Sequence, residues 1–364
     1  MKRREFIVTA AAPVILAATR KRHNSGLRLA AVREVIAGHL DGLLDHEGYY
    51  GSIRPAPQRR PDLYSSCDAA IMRSIMGEDF RLCLAENRRK EWIAHINSFA
   101  NRYLKDGSYE DTHGHSPLHA NGMVIGALGV LGGQQIYPNR LYDAFSAEER
   151  IAPWLERIDW KYQWSASHLF WGGMHCYSMS RHCTAGWREQ VFDWLDAHLD
   201  PQSGWWCKGI AHADRHQPLG GSVHILPMYE HHGRAFAYPE RVIDSVLALQ
   251  LSDGRWLQSE DPNPMTYLEL DALYALKYMK SLAPAYRKED IRRAVNRYAR
   301  TILAYWPSEQ DVLLQSHPHI LLGAVGTFGL LQHFEPELFQ DDFTWSDIFS
   351  DLRFYRTDLV EVPA

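Results

Sequence analysis

The sequence contains no Cys-x-x-Cys pair, and its five cysteines (Cys67, Cys83, Cys176, Cys183 and Cys207) are odd in number and irregularly spaced. That excludes a dense disulfide scaffold and a thiolate zinc cage, leaving room for at most one bridge in an oxidising compartment. Alternating runs of β-branched residues are scarce, so a sheet-based fold is not expected. No internal stretch reaches the roughly 20 apolar residues of a membrane span. The strongest candidate, residues 123–133, is short and glycine-rich and reads as a buried helix. A basic face is missing too: the formal net charge is −5, and nucleic acid is not an expected partner.

What remains is the balance of a globular chain with a large core, 46% hydrophobic and 23% charged over 364 residues. Twelve Trp, 18 Tyr and 19 His stand out. Aromatic residues in such numbers either fill the core or line a pocket.

The first residues read as an export signal. Lys2-Arg3-Arg4-Glu5-Phe6-Ile7 sets a twin arginine before an apolar, alanine-rich stretch over residues 6–18. Arg20-Lys21-Arg22 directly after it suits twin-arginine transport better than ordinary secretion. Residues 1–25 are therefore assigned to a signal segment, with a periplasmic or extracellular destination. No clean Ala-x-Ala ends the apolar stretch, so an uncleaved segment would be the chain's membrane contact. The alternative is a frayed N-terminal helix.

One pattern recurs through the rest: an amphipathic helix, a glycine–aromatic loop, then an apolar helix opening with polar residues. Residues 32–44, the loop Gly48-Tyr49-Tyr50 and residues 69–76 form the first unit. Residues 240–251, Asp253-Gly254-Arg255-Trp256 and residues 272–279 form the clearest one. Aligned second-helix starts fall at Asp68, Asn121, Gly172, His224, Asp271 and Leu321, which are 53, 51, 52, 47 and 50 residues apart. So even a step predicts an all-α fold, an (α/α)6 toroid of six helix pairs of about 50 residues over 30–335. Residues 336–364 would be a C-terminal extension packed on it. An open solenoid is the structural alternative. In a closed ring the parallel inner helices would point their N-termini, each carrying about half a positive charge, at one anion-attracting mouth.

The segment Val246-Leu247-Ala248-Leu249-Gln250-Leu251-Ser252-Asp253-Gly254-Arg255-Trp256 resembles the Gln–Trp repeat of the terpenoid cyclase and protein prenyltransferase toroid superfamily. Leu219-Gly220-Gly221-Ser222-Val223-His224 and Leu268-Glu269-Leu270-Asp271-Ala272-Leu273 are similar to its inner-helix starts. The resemblance extends at repeat level over residues 32–333 and implies the same architecture. It implies neither activity. The Asp-x-Asp-Asp acid motif of the cyclases is missing, with Glu269-Leu270-Asp271 the nearest run, and the prenyltransferase zinc ligands have no counterpart.

Candidate chemistry follows from convergence. Asp68, His119, His168, His224, Glu269 and Asp271 are the catalytic candidates, as carboxylates and imidazoles able to act as general acids and bases. Asn121, Trp171, Trp205, Trp206, Trp256, Tyr267 and His319 are the substrate-binding candidates. For Asp68 and Asn121 the competing reading is helix capping. For the tryptophans, Trp164 included, it is packing of loops against the ring. His212-Ala213-Asp214-Arg215-His216 has a spacing that a metal can use, but it reads as a solvated loop. Cys176, His182 and Cys183 read as helix-face residues. No metal and no cofactor are expected.

The leading functional expectation is an exported enzyme, a lyase or glycoside hydrolase, acting by acid–base chemistry on an acidic saccharide. His119, His168 or His224 would be the base, Asn121 a donor to the substrate carboxylate, and Glu269 or Asp271 the acid. Two alternatives stand beside it: an isoprenoid-processing or isoprenoid-binding protein, and a non-catalytic module that captures a small-molecule or oligosaccharide ligand. Fold alone decides none of them.

Overall fold

The structure, a computed structural model, describes residues 26–257 and 263–355. The expected signal segment, residues 1–25, and the end of the C-terminal extension, residues 356–364, lie outside the described residues. Helices dominate what is described. In chain order they are α1 (Leu29–Gly42), α2 (Leu63–Ile75), α3 (Phe80–Cys83), α4 (Glu86–Ser98), α5 (Pro117–Leu131), α6 (Ile151–Leu155) and α7 (Gln163–Phe170). After a π-helical turn at Trp171–His175 come α8 (Cys176–Ser178), α9 (Ala185–Ala197), α10 (Gln217–Ser222), α11 (Leu226–His232) and α12 (Pro239–Leu249). The last three are α13 (Tyr267–Leu282), α14 (Lys288–Leu314) and α15 (Pro318–Phe334). The one sheet among the described residues is a parallel pair, β1 (Leu27–Arg28) with β2 (Phe339–Gln340).

Two kinds of helix alternate, and burial separates them. In α1 the buried residues are Leu29, Val32, Ile36 and Leu40, a single stripe at helical spacing. In α12 they are Val242, Ile243 and Val246. By contrast every residue of α2 except Arg73 is buried, and α5 and α15 are buried nearly all round. A helix apolar on all sides needs neighbours on all sides. They are found: α2 packs against α5 and α15, α5 against α7 and the π turn, α7 against α10, α10 against α13, and α13 against α15. The one-sided helices α4, α12 and α14 lie behind this set, against α5, α13 and α15 respectively.

Close packing here depends on missing side chains. A Cβ on Gly172 would fall 1.7 Å from the Leu118 carbonyl oxygen, and one on Gly220 would fall 2.3 Å from the Trp164 ring. Gly172 thus lets the π turn press against α5, and Gly220 lets α10 press against α7.

The fully buried helices begin earlier than the sequence suggests. Asp62 caps α2 by accepting from the Ser65 N–H at 2.7 Å, and Ser116 caps α5 by accepting from the His119 N–H at 3.1 Å, with Pro117 in the first turn. Asp68 and Asn121 therefore lie inside their helices and cap nothing. Thr266 and Glu269 form a capping box on α13, and His317 Nδ1 accepts from the His319 N–H at 3.0 Å to cap α15.

Residues 339–355 run across the opposite ends of these helices. Trp345 N–H donates to Gln332 of α15 at 2.7 Å, Ser346 N–H to the Ile75 carbonyl of α2 at 3.0 Å, and Lys277 of α13 pairs with Asp347 at 2.6 Å. All five cysteines are free thiols, so the single bridge left open by the sequence does not form. No helix among the described residues is long and apolar enough to cross a membrane.

Candidate functional site: a histidine-walled cavity

The first turns of α5, α13 and α15, with Ile71 from further along α2, gather around a cavity of about 410 Å³. Its floor is apolar, built from Ile71, Met123, Leu270 and Leu322 together with Ile348, Phe349, Phe354 and Tyr355 of the C-terminal segment. Its rim carries Trp164, Ser165, Trp171 and Gln217. One wall is imidazole. His113 and His115 come from the loop before α5, His119 from the first turn of α5, His168 from α7, His224 from the break between α10 and α11, and His319 from the first turn of α15.

These rings form a continuous row. Centroids lie 4.3 Å apart for His115 and His119, 4.5 Å for His119 and His168, and 4.7 Å for His168 and His224. Towards the other end, His113 lies 5.0 Å from His115 and 4.7 Å from His319. Burial pushes His168 and His319 down to about 3 and His113 down to about 4. His119 and His224 are also held well below the usual imidazole range, by burial first and by neighbouring histidines second. The wall is uncharged at neutral pH.

Three of the rings are anchored through Nδ1. Tyr64 OH is 2.8 Å from His119 Nδ1, Ser167 Oγ is 2.9 Å from His224 Nδ1, and Asp68 Oδ1 is 3.1 Å from His319 Nδ1. The Ser167 bond fixes a tautomer. Its only hydroxyl proton goes to the Trp164 carbonyl at 2.9 Å, so Ser167 Oγ must accept from the His224 Nδ1–H. His224 Nε2 is then left with its lone pair.

Two carboxyls complete the site. Asp68 is fully buried, and its Oδ2 has no hydrogen-bond partner among the described residues. Asp271 lines the cavity with Oδ2 in the same condition. Burial raises Asp271 well above the carboxylate range, with the nearby Glu269 charge as the second cause, which favours its protonated form.

Several expected site residues serve the fold instead. Asn121 spends its whole amide internally: Nδ2 donates to the Gly172 carbonyl at 2.7 Å and to Tyr142 OH at 3.1 Å, and Oδ1 accepts from Gln135 and Asn139 at 2.8 and 2.7 Å. Nothing is left for a substrate carboxylate. Glu269 closes the capping box and accepts from the Trp256 and Leu257 N–H groups at 3.1 and 2.9 Å, which removes it as the acid. Trp205, Trp206 and Trp256 are buried against helices, with Trp206 Nε1–H donating to Leu195 O at 3.1 Å and Trp256 Nε1–H to Val246 O at 2.9 Å. They pack loops and do not line the cavity. His212 holds the Trp160 and Trp206 carbonyls at 2.9 and 3.1 Å, so its loop is tied down rather than free in solvent.

His119, His168, His224, His319, Asp271, Tyr267 and Trp171 do come together at the cavity, and Asp68 reaches it through His319. His113 and His115 are new to the site. Together with His319 they offer one ring nitrogen each, all within 4.8 Å of one another, the only such group of potential metal ligands among the described residues. Their signal in the sequence is a His-x-His run directly ahead of the Ser116-Pro117 helix start, matched by His317-Pro318-His319 at the start of α15.

The sequence matches no protein-family model, and no curated protein is significantly similar to it.

Proposed function

We propose that the chain is an exported enzyme built as an (α/α)6 toroid, doing acid–base chemistry on an anionic substrate in the histidine-walled cavity. The toroid reading is supported by the order of packing, in which α2, α5, α7, α10, α13 and α15 are successive neighbours and the last returns to the first. Gln250 adds to the resemblance stated above: its amide bridges the Gly254 and Ala294 carbonyls at 2.9 and 2.8 Å, tying the glycine–tryptophan loop to the next outer helix. Export rests on the twin-arginine run alone.

The observation that carries the chemistry is the Ser167–His224 pair. It leaves His224 Nε2 as an oriented base in the cavity wall, with Asp271 a protonated carboxyl on the same cavity. A base taking a proton and an acid returning one is the requirement of a lyase or a glycoside hydrolase. An acidic saccharide is the first substrate class: the rim carries two indoles, Gln217, Ser165 and neutral imidazole donors, and the surrounding helix N-termini favour anions. The donor once assigned to Asn121 has no part in this scheme.

The apolar floor favours a second reading, an isoprenoid or similar substrate with its polar head at the histidines and its tail on Leu270, Leu322 and Phe349. A thermal-shift screen of acidic oligosaccharides against isoprenoid diphosphates separates the two, because a ligand of the native state raises its melting point. His224→Ala is then expected to abolish turnover of the stabilising compound with the far-UV helical signal intact. Full turnover by that variant would end the acid–base reading.

A further inference from the structure

We propose that His113, His115 and His319 bind one divalent transition-metal ion of the zinc class at the rim of the cavity, with Asp68 orienting the third ligand. This goes beyond the acid–base reading and does not depend on which substrate is turned over.

Four observations converge on it. First, three imidazoles from two distant parts of the chain bring ring nitrogens within 4.8 Å of one another. In a tetrahedral site with metal–nitrogen bonds of about 2.0–2.1 Å, ligand nitrogens sit roughly 3.3 Å apart. Side-chain rotation of His113 and His115, which are half-buried and exposed on a loop, closes that gap. Second, the loop is shaped to aim both rings the same way. Gly114 between them takes φ +87°, and Asp111 Oδ1 accepts from the His113 and Gly114 N–H groups at 3.1 and 3.0 Å.

Third, His319 already has the second partner that a ligating histidine needs. Its Nδ1 meets Asp68 Oδ1 at 3.1 Å, which leaves Nε2 for the ion, the carboxylate–histidine–metal arrangement. Fourth, Asp68 is a fully buried acid whose other oxygen has no partner among the described residues, a costly placement that a nearby dication relieves. His317 stands outside the group, with its Nδ1 capping α15 and its Nε2 turned to Ser65 Oγ at 3.5 Å and Asp62 Oδ2 at 3.6 Å.

The ligand set selects the ion. Three neutral nitrogen donors suit zinc and its neighbours, whereas calcium and magnesium call for oxygen. Three protein ligands beside an open cavity leave a fourth position for water or an anionic group of the substrate, the pattern of a catalytic rather than a structural site.

The test uses the full chain, stripped with chelator, dialysed against zinc chloride and measured by elemental analysis, with cobalt(II) absorption reporting ligand geometry. One equivalent of zinc per chain and a tetrahedral cobalt spectrum are expected. His115→Ala, on an exposed loop residue, and His113→Ala are each expected to lose the bound ion with unchanged helical content. Asp68→Asn is expected to weaken zinc binding about 10- to 100-fold. His212→Ala is expected to leave the stoichiometry at one. Failure to retain a stoichiometric ion, or retention that survives both loop substitutions, overturns the site. Neither result touches the His224 assignment, which is read by turnover, and loss of turnover in His224→Ala with zinc retained leaves the metal site standing.

Discussion

His95 offers a clean test of how burial sets protonation in this chain, because it lies away from the cavity. Its ring is 7% exposed and bridges two hydroxyls, Ser52 Oγ at 3.1 Å and Ser66 Oγ at 3.0 Å. Burial lowers its pKa to about 4 from an unfolded value of 6.5, against a weaker opposing pull from Asp45 and Asp62. The sign follows from proton counting. Below pH 6.5 the unfolded chain takes up a proton that the folded chain refuses, so stability falls as pH falls, until about pH 4 where both bind it. Each pKa unit is about 1.4 kcal/mol, so this one ring removes about 2 kcal/mol between pH 7 and 5, and about 3 kcal/mol by pH 4. The assay is denaturant unfolding followed by tryptophan fluorescence, for the wild type and His95→Gln, at pH 7 and pH 5. Every other buried histidine contributes equally to both proteins, so the difference of differences isolates His95. The variant starts less stable, by about 1–2 kcal/mol for its disturbed serine bonds, yet loses about 2 kcal/mol less on acidification. Parallel pH dependence in the two proteins would refute the reasoning.

Other substitutions separate fold from chemistry. Asn121→Ala leaves the Gly172 carbonyl and the Gln135 and Asn139 amides without their buried partner, and is expected to cost about 3–5 kcal/mol in denaturant stability. Gly172→Ala drives a methyl into the Leu118 carbonyl and is expected to cost about 3 kcal/mol or more, seen as a broadened or lost thermal transition. Glu269→Gln weakens the cap of α13 by about 1–2 kcal/mol without lowering turnover, since that carboxylate faces backbone and not substrate. Ser167→Ala frees the His224 tautomer, and about 1.4 kcal/mol of lost positioning appears as a roughly tenfold fall in kcat with KM unchanged.

The helical character of the chain, and the gathering of polar residues from separate helices, were legible because both rest on periodicity. Evenly spaced helix starts bring His119, Asp271 and His319 together although some 200 residues separate the first from the last. Helix boundaries were less legible. Asp62 and Ser116, each beside proline or more polar residues, begin α2 and α5 ahead of the first periodic apolar residue, so Asp68 and Asn121 looked like openings and are interior. The glycine–aromatic loops were misleading for a physical reason. A large indole after a glycine turn is as well suited to pinning a loop to a helix end as to meeting a ligand. Trp206 and Trp256 do the former, each donating its indole N–H to a carbonyl of the preceding helix.

What periodicity does not encode is the content of an irregular loop. His113 and His115 have no helical neighbours to set their phase, and their partner His319 lies about 200 residues away. The apolar floor is hidden in the same way, since Phe349, Phe354 and Tyr355 belong to a segment with almost no regular structure of its own. The two unread pieces close opposite ends of one cavity. Polar nitrogen donors stand where helix N-termini offer partial positive charge, and apolar rings cover the ends where carbonyls would otherwise face an open hole. A ligand held there meets a graded interior, basic and hydrogen-bonding at the mouth and dry at the base. On the reading proposed above, that gradient would turn a substrate's anionic end towards His113, His115 and His319 and its adjoining atoms towards His224.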